Sequence, residues 1–283
     1  MTAIPGDVWD FDDLDESERR FHALLDEQQQ GPARAEVLTQ LARIEGLRGK
    51  FEAGETLIRE AEAMAGPDVP ARTRVLLERG RLLRSSGETS SALPLFVEAF
   101  HVAQRGAEEF LAGDAAHMAA LAAPDDRVFV EWTERGIAFA REHSGAAYWL
   151  GPLLNNLGWL RYETGRYEEA LDAFGRALEA RERDRDKREE IEIARYAVGK
   201  TLRALGRPKD AAELLKRAIE WTREAGRPDG WFHEELAEDY AAMGCPEDAA
   251  EQARTAIPLL GRDDPSFADD IDRSKRLREL AES

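Results

Sequence analysis

One pattern recurs along this chain of 283 residues and restricts what it can fold into. Its clearest copy is Leu154-Asn155-Asn156-Leu157-Gly158, followed by Gly165-Arg166-Tyr167, Ala170, Phe174 and Ala177. Apolar residues recur at helical spacing on both sides of Gly165, so the stretch reads as two amphipathic helices joined by a tight turn. Gly158, Ala170 and Ala177 sit where the helices must approach closely, and Leu154, Leu157, Leu171, Phe174 and Leu178 fill the space between them. The motif returns around Gly206, with Gly199 before it and Ala211, Leu215 and Ala218 after it. It returns around Gly244, Gly87 and Gly49, and at the last of these Gly54 replaces the usual alanine. A degenerate copy fits between Gly87 and Gly165, with its turn near Ala123-Pro124. One hairpin leaves apolar surface open on both sides, so neighbours must stack on it. No segment alternates with the period of a strand, and the class predicted is all-α.

These small–small–large hairpins resemble the tetratricopeptide repeat over residues 33–260. The best copy departs from the consensus: Leu154 and Arg161 stand where Trp and Tyr are usual, and the closing proline is missing. The interval from Gly165 to Gly206 also exceeds the usual period of about 34 residues. Long units with a Leu-Asn-Asn-Leu core are similar to those of kinesin light chains and of bacterial regulatory and peptide-sensing repeat proteins. The resemblance implies a right-handed α–α superhelix of about six helix pairs with terminal capping helices. It also implies a concave groove lined by the first helix of each pair. The residues at those positions are Thr39 and Arg43; Arg74, Leu77, Arg81 and Arg84; Asp114 and His117; Asn155, Asn156 and Trp159; Tyr196, Lys200 and Arg203; and Glu234 and Glu238. The partner-binding set expected from them is Arg43, Arg74, Arg81, Arg84, Asn155, Asn156, Trp159, Tyr196, Lys200 and Arg203. Asn156 holds the place where family members hydrogen-bond a ligand backbone, and an amide both donates and accepts. Trp159 offers an apolar contact to a ligand or to the adjacent helix. The arginines favour a carboxylate-bearing partner or pair with acidic neighbours. The Lys and Arg of the chaperone-binding carboxylate clamp are replaced by Ile193 and Ala197, so recognition of a chaperone tail is unsupported.

The net charge of −18 disfavours nucleic-acid backbones. Asp7, Asp10, Asp12, Asp13, Asp15, Glu16 and Glu18 crowd the N-terminus, and residues 1–13 read as a disordered or loosely docked acidic tail. Within it, Asp7-Val8-Trp9-Asp10-Phe11-Asp12 resembles the tryptophan–acidic peptides bound by kinesin-light-chain repeats. One reading docks it in the chain's own groove as a competitor; the other is a simple tail or capping contact. A cap helix is expected over residues 14–32, with Phe21, Leu24 and Leu25 inward, and a second cap over residues 261–283, carrying Phe267, Ile271, Leu277 and Leu280. The dense mixed charge of Glu179–Glu192 reads as a solvated helix end. The single cysteine, Cys245, makes no internal disulfide, which fits a reducing compartment. No apolar run reads as a signal or a membrane span. A cytoplasmic location follows, and the excess of Arg over Lys fits a bacterial source.

Chemistry finds little support. No histidine has another four residues away, and no phosphate loop or nucleophile elbow appears. His233, Glu234, Glu235 and Glu238 are close on one predicted helix, but a solvated acidic face explains them. Asp125-Asp126 and Glu168-Glu169 fit helix N-termini. The expectation is therefore a non-enzyme without cofactor or metal. It binds a protein or peptide, acidic or carboxylate-bearing, and neither nucleic acid nor membrane. A peptide- or effector-sensing regulator is the alternative, and an enzyme built on the acidic last unit is a third.

Overall fold

Five of the six hairpins close on a turn residue able to take a left-handed backbone, the degenerate copy around Ala123-Pro124 being the exception. The turn glycines Gly49, Gly87, Gly165, Gly206 and Gly244 have φ of +74°, +93°, +74°, +72° and +74°, a region other residues rarely occupy. The computed structural model describes residues 8–27, 30–183 and 187–283. Asp7, Gln29 and residues 184–186 of the charged run therefore lie outside the described residues.

Within them the chain forms fourteen α-helices and no strand. The helices are α1 (Leu14–Glu27), α2 (Gly31–Leu47), α3 (Phe51–Ala65), α4 (Val69–Ser85), α5 (Thr89–Arg105), α6 (Glu109–Leu121) and α7 (Asp126–Glu142). A 3-10 segment at Ser144–Trp149 leads to α8 (Leu150–Glu163), α9 (Tyr167–Arg181), α10 (Arg188–Ala204), α11 (Pro208–Glu224), α12 (Gly230–Ala242), α13 (Pro246–Asp263) and α14 (Ile271–Glu282). From α2 to α13 these are six pairs, with α1 and α14 at the ends. The chain divides into two compact units, Met1–Leu153 and Leu154–Ser283, and the boundary falls within α8.

In the first unit, Ala35, Leu38 and Ala42 of α2 meet Ile58 and Ala61 of α3 and Ala71, Val75 and Leu82 of α4 in one buried cluster. Close approach depends on glycine. A Cβ on Gly80 would lie 2.5 Å from the ring of the fully buried Phe96, and one on Gly54 would lie 2.8 Å from Leu82. The degenerate pair is α6 and α7, whose turn contains Ala123-Pro124. Asp125 caps α7 by accepting from the Val128 amide at 2.8 Å.

The second unit repeats the device: a Cβ on Gly158 would lie 2.5 Å from the ring of Phe174. Pro208 and Pro246 open α11 and α13, where a missing N–H costs nothing. Phe267, Leu277 and Leu280 close the last cluster over Ala249, Ala253 and Ala256. Ile271, expected inward, is instead 72% exposed. It is the first residue of α14, nearly two turns before the helix presents Leu277 to that cluster.

Candidate functional site

The first helices of the pairs carry the charged residues of interest, and each unit arranges them differently. In the first unit the relevant helices are α2, α4 and α6. Arg74 donates from Nε to Glu36 Oε2 at 3.0 Å. Arg81 lies between two carboxylates, with Nη1 on Glu78 Oε1 and Nη2 on Asp114 Oδ1, each at 2.5 Å. Glu36 and Glu78 are buried to 4% and 2% exposure, so they need these cations. Arg84 donates from Nε to the Leu121 carbonyl at 3.2 Å and has no ion pair among the described residues.

Arg43 makes neither a hydrogen bond nor an ion pair among the described residues. Its guanidinium carbon lies 5.3 Å from the centroid of Trp9 and 5.5 Å from that of Phe11. Burial, then repulsion from Arg81, lowers its pKa below the usual arginine value. Arg43, Arg81, Arg84, Glu78, Leu47 and Met118 border a small cavity of about 180 Å³. Thr39 and Leu77, expected on the ligand side, are buried at 0% and 1% exposure. Thr39 instead donates to the Glu36 carbonyl at 2.6 Å, and Leu77 faces the core. His117 is packed against Trp149, 5.3 Å between ring centroids, and burial depresses its pKa to about 4.

The acidic segment has a definite place from Val8 onward. Val8 is buried with Phe21, Val37, Leu41 and Ile44. Trp9 Nε1 donates to Gln40 Oε1 at 3.0 Å. The Asp10 amide donates to Ser17 Oγ, and Ser17 Oγ donates to the Asp10 carbonyl, both at 2.7 Å. Arg48 binds Asp15, and also Glu18 at 2.8 Å.

In the second unit the relevant helices are α8, α10, α12 and α14. Asn155, Asn156 and Trp159 are half-buried on α8. Asn155 Oδ1 is buried without a hydrogen-bond partner. Trp159 stands edge-on to Phe174 at 5.0 Å and to Tyr162 at 5.7 Å, so it packs within its own hairpin while keeping one face partly open. Tyr196, Lys200 and Arg203 recur along one side of α10, at helical spacing. Lys200 Nζ donates to Glu235 Oε2 at 2.9 Å, and Arg203 Nε to Glu235 Oε1 at 2.5 Å. From α14, Arg273 grips both oxygens of Glu234 at 2.6 and 2.5 Å, and Arg276 grips Glu238 at 3.0 and 3.1 Å. These residues, with Tyr196 and Trp231, border a cavity of about 490 Å³. Asp239 is fully buried beside it, with both oxygens lacking a hydrogen bond and Arg203 Nε 3.9 Å away. Burial, reinforced by Glu235, pushes its pKa up to about 8. Tyr196 rises to about 12, chiefly through burial.

The sequence names the cations of these faces and Asp114, Glu234, Glu235 and Glu238 among their acids, but not the carboxylates Glu36, Glu78 and Asp239, and it reads the acids of the last unit as a solvated face where Glu235 is 2% exposed. A signal was present. Arg74 and Glu36 are 38 residues apart, Arg81 and Asp114 33, and Lys200 and Glu235 35, each about one repeat. Opposite charges one period apart on successive first helices are placed to meet. The acidic group of the last unit is likewise engaged: Glu234, Glu235 and Glu238 bind arginine or lysine, and His233 Nδ1 contacts Gln252 Oε1 at 2.7 Å. No cluster of three potential metal ligands occurs among the described residues.

Comparison with known proteins agrees with this architecture. Residues 149–224 match the tetratricopeptide repeat family model. A signal transduction ATPase with numerous domains and a tetratricopeptide repeat sensor, from Pyrococcus horikoshii, is 17% identical. It superposes with a TM-score of 0.71 over 90% of this chain and 40% of its own. The APC/C hetero-tetramer Cut9–Hcn1 is 14% identical, with a TM-score of 0.65 over 97% of this chain and 50% of that one. The apo form of the quorum sensor NprR from B. thuringiensis is 12% identical, with a TM-score of 0.57 over 96% and 82%. The chain thus spans less than half of the first of these and half of the second. No curated protein matches the sequence. The chain thus shares the all-α fold of these tetratricopeptide repeat structures. No helix among the described residues is long and apolar enough to cross a membrane.

Proposed function

We propose that this chain is a non-catalytic interaction module whose first-helix faces bind a peptide or protein segment bearing carboxylates. One observation carries the reading. Arg43 and Arg84 border the same cavity and neither has a carboxylate partner among the described residues, whereas neighbouring Arg74 and Arg81 do. A guanidinium left without an anion in a protein of net charge −18 is available to one from outside. In the second unit, the half-buried Asn156 and Trp159 hold the positions at which the resemblance expects a backbone contact and an apolar contact. Every lining carboxylate of the acidic last unit is bound to a base, which leaves no general acid–base pair to favour enzymatic chemistry. A sensing role is served by the same surface, since two of the similar structures are a repeat sensor and a quorum sensor.

An array of short acidic, neutral and basic peptides, probed with the full chain, tests this. Acidic peptides are expected to bind, more weakly as salt rises. Arg84→Ala and Asn156→Ala are each expected to weaken binding about tenfold, the scale of one charge-assisted contact. Equal capture of basic peptides, or unchanged affinity in both variants, refutes the reading. A rise in melting temperature with the bound peptide measures the same affinity independently.

A further inference from the structure

Arg43 is held in an unusual way for a cation in a groove. Trp9 and Phe11 stack on each other, with centroids 4.8 Å apart and planes 6° from parallel, and the Arg43 guanidinium lies over both rings. Contact of this kind engages the cation without a hydrogen bond and leaves its N–H groups for other partners. The rings are themselves anchored. Gln40 holds the Trp9 indole, Val8 is buried beneath, and Ser17 clamps Asp10 between them. Phe11 is 60% exposed, so burial of its own surface does not explain its position.

Across the cavity, the Nε of Arg84 is committed to a backbone carbonyl, and its terminal nitrogens make no hydrogen bond among the described residues. The local charge count is uneven: Arg43, Arg74, Arg81 and Arg84 face Glu36, Glu78 and Asp114. One further negative charge would balance it. The cavity of about 180 Å³ is smaller than the 300–1,000 Å³ typical of whole-ligand sites, and suits a single group. Glu78 borders the same space, which disfavours a doubly charged oxyanion there.

We infer that Arg43, braced from outside the cavity by the segment Trp9–Phe11, grips a single carboxylate together with Arg84. This rests on the groove reading above and fixes its chemistry: the aromatic segment braces the subsite and does not occupy it. The incoming carboxylate belongs to an acidic side chain or a chain terminus. Arg43 keeps its contact with the two rings, its N–H groups meet one carboxylate oxygen, and Arg84 meets the other.

The test uses the full chain and sodium acetate, titrated against sodium chloride at equal ionic strength, with the arginine Nε–H signals followed by NMR. Acetate is expected to shift Arg43 and Arg84 together. Trp9→Ala and Phe11→Ala should each weaken that response about fivefold, the scale of a cation–π contact. Arg43→Lys keeps the charge but loses the guanidinium, and should weaken it similarly. Phe11 is exposed, so its variant tests the idea even if Trp9→Ala perturbs folding. A silent Arg43, unchanged acetate binding in Phe11→Ala, or tighter binding in either ring variant overturns the proposal; the last outcome would mean that the segment plugs the site. An acidic peptide with an amidated end and a neutral peptide with a free end then distinguish side-chain from terminal carboxylates. If acetate behaves as expected and neither peptide binds, the subsite stands and the peptide-binding reading fails.

Discussion

The two units are built from the same kind of helix pair, yet the first-helix faces within each balance charge in opposite ways. In the first unit, arginines outnumber the carboxylates beside them, and Arg43 and Arg84 are left to other partners. In the second, Lys200 and Arg203 share Glu235 while Arg273 and Arg276 take Glu234 and Glu238. That leaves a carboxylate, Asp239, without a hydrogen bond. The difference teaches that a basic stripe in sequence is not yet a basic surface. Arg81 and Lys200 occupy comparable places before their turn glycines, and both are spent on a carboxylate of the next repeat, Asp114 and Glu235.

The largest expected effect separates the two kinds of arginine. Arg81→Ala removes the cation between Glu78 and Asp114, which are 2% and 7% exposed. Breaking a buried pair typically costs about 3–5 kcal/mol, whereas Arg84→Ala should change stability by less than about 1 kcal/mol. Urea unfolding of both variants decides this. Similar losses would erase the distinction between structural and available arginines.

A smaller effect probes what the units share. Gly80→Ala and Gly158→Ala each drive a methyl into a buried phenylalanine ring at 2.5 Å, and should cost about 1–3 kcal/mol in either unit. At Gly199 the added Cβ meets Leu215 at 3.4 Å, with no other atom nearer. Gly199→Ala should therefore be neutral, or stabilise by up to about 1 kcal/mol through helix propensity. Thermal melts of the three variants would show whether the glycines are spacers in both halves.

The smallest effect contrasts the units by their pH response. His117, lowered from 6.5 to about 4, binds its proton less readily when folded. Stability from this group is therefore lost as pH falls from 6.5 toward 4. Asp239, raised from 3.8 to about 8, binds its proton more readily when folded, so stability is lost as pH rises between those values. Replacing each in turn should tilt the curve of melting temperature against pH in opposite directions. With Asp239→Asn the melting temperature should gain most near pH 8; with His117→Gln the acid-side decline should flatten. A parallel shift of both curves would contradict the assigned burial.

Much of the fold is legible in the sequence because its causes are local. Gly49, Gly87, Gly165, Gly206 and Gly244 mark the turns since only glycine enters the left-handed region cheaply. The Gly158 and Phe174 pair is readable because a missing side chain and a large ring at fixed offsets describe one close contact. The site is less legible. Thr39 and Leu77 were placed on the ligand face by analogy between repeats, but a small rotation of a helix turns such positions into the core. Ile271 went the other way, since a helix that begins at that residue leaves it at an open end.

By itself, then, the sequence determined the hairpins, their number and the all-α class, because turn chemistry and helical periodicity act within one repeat. Only the tertiary structure decided which cations are held in ion pairs and which, like Arg43 and Arg84, have none among the described residues. That choice depends on carboxylates some 33–39 residues away and on Trp9 folding back onto Arg43. Electrostatic pairing of buried groups is set by distance in space, and distance in space exists only once the repeats have stacked.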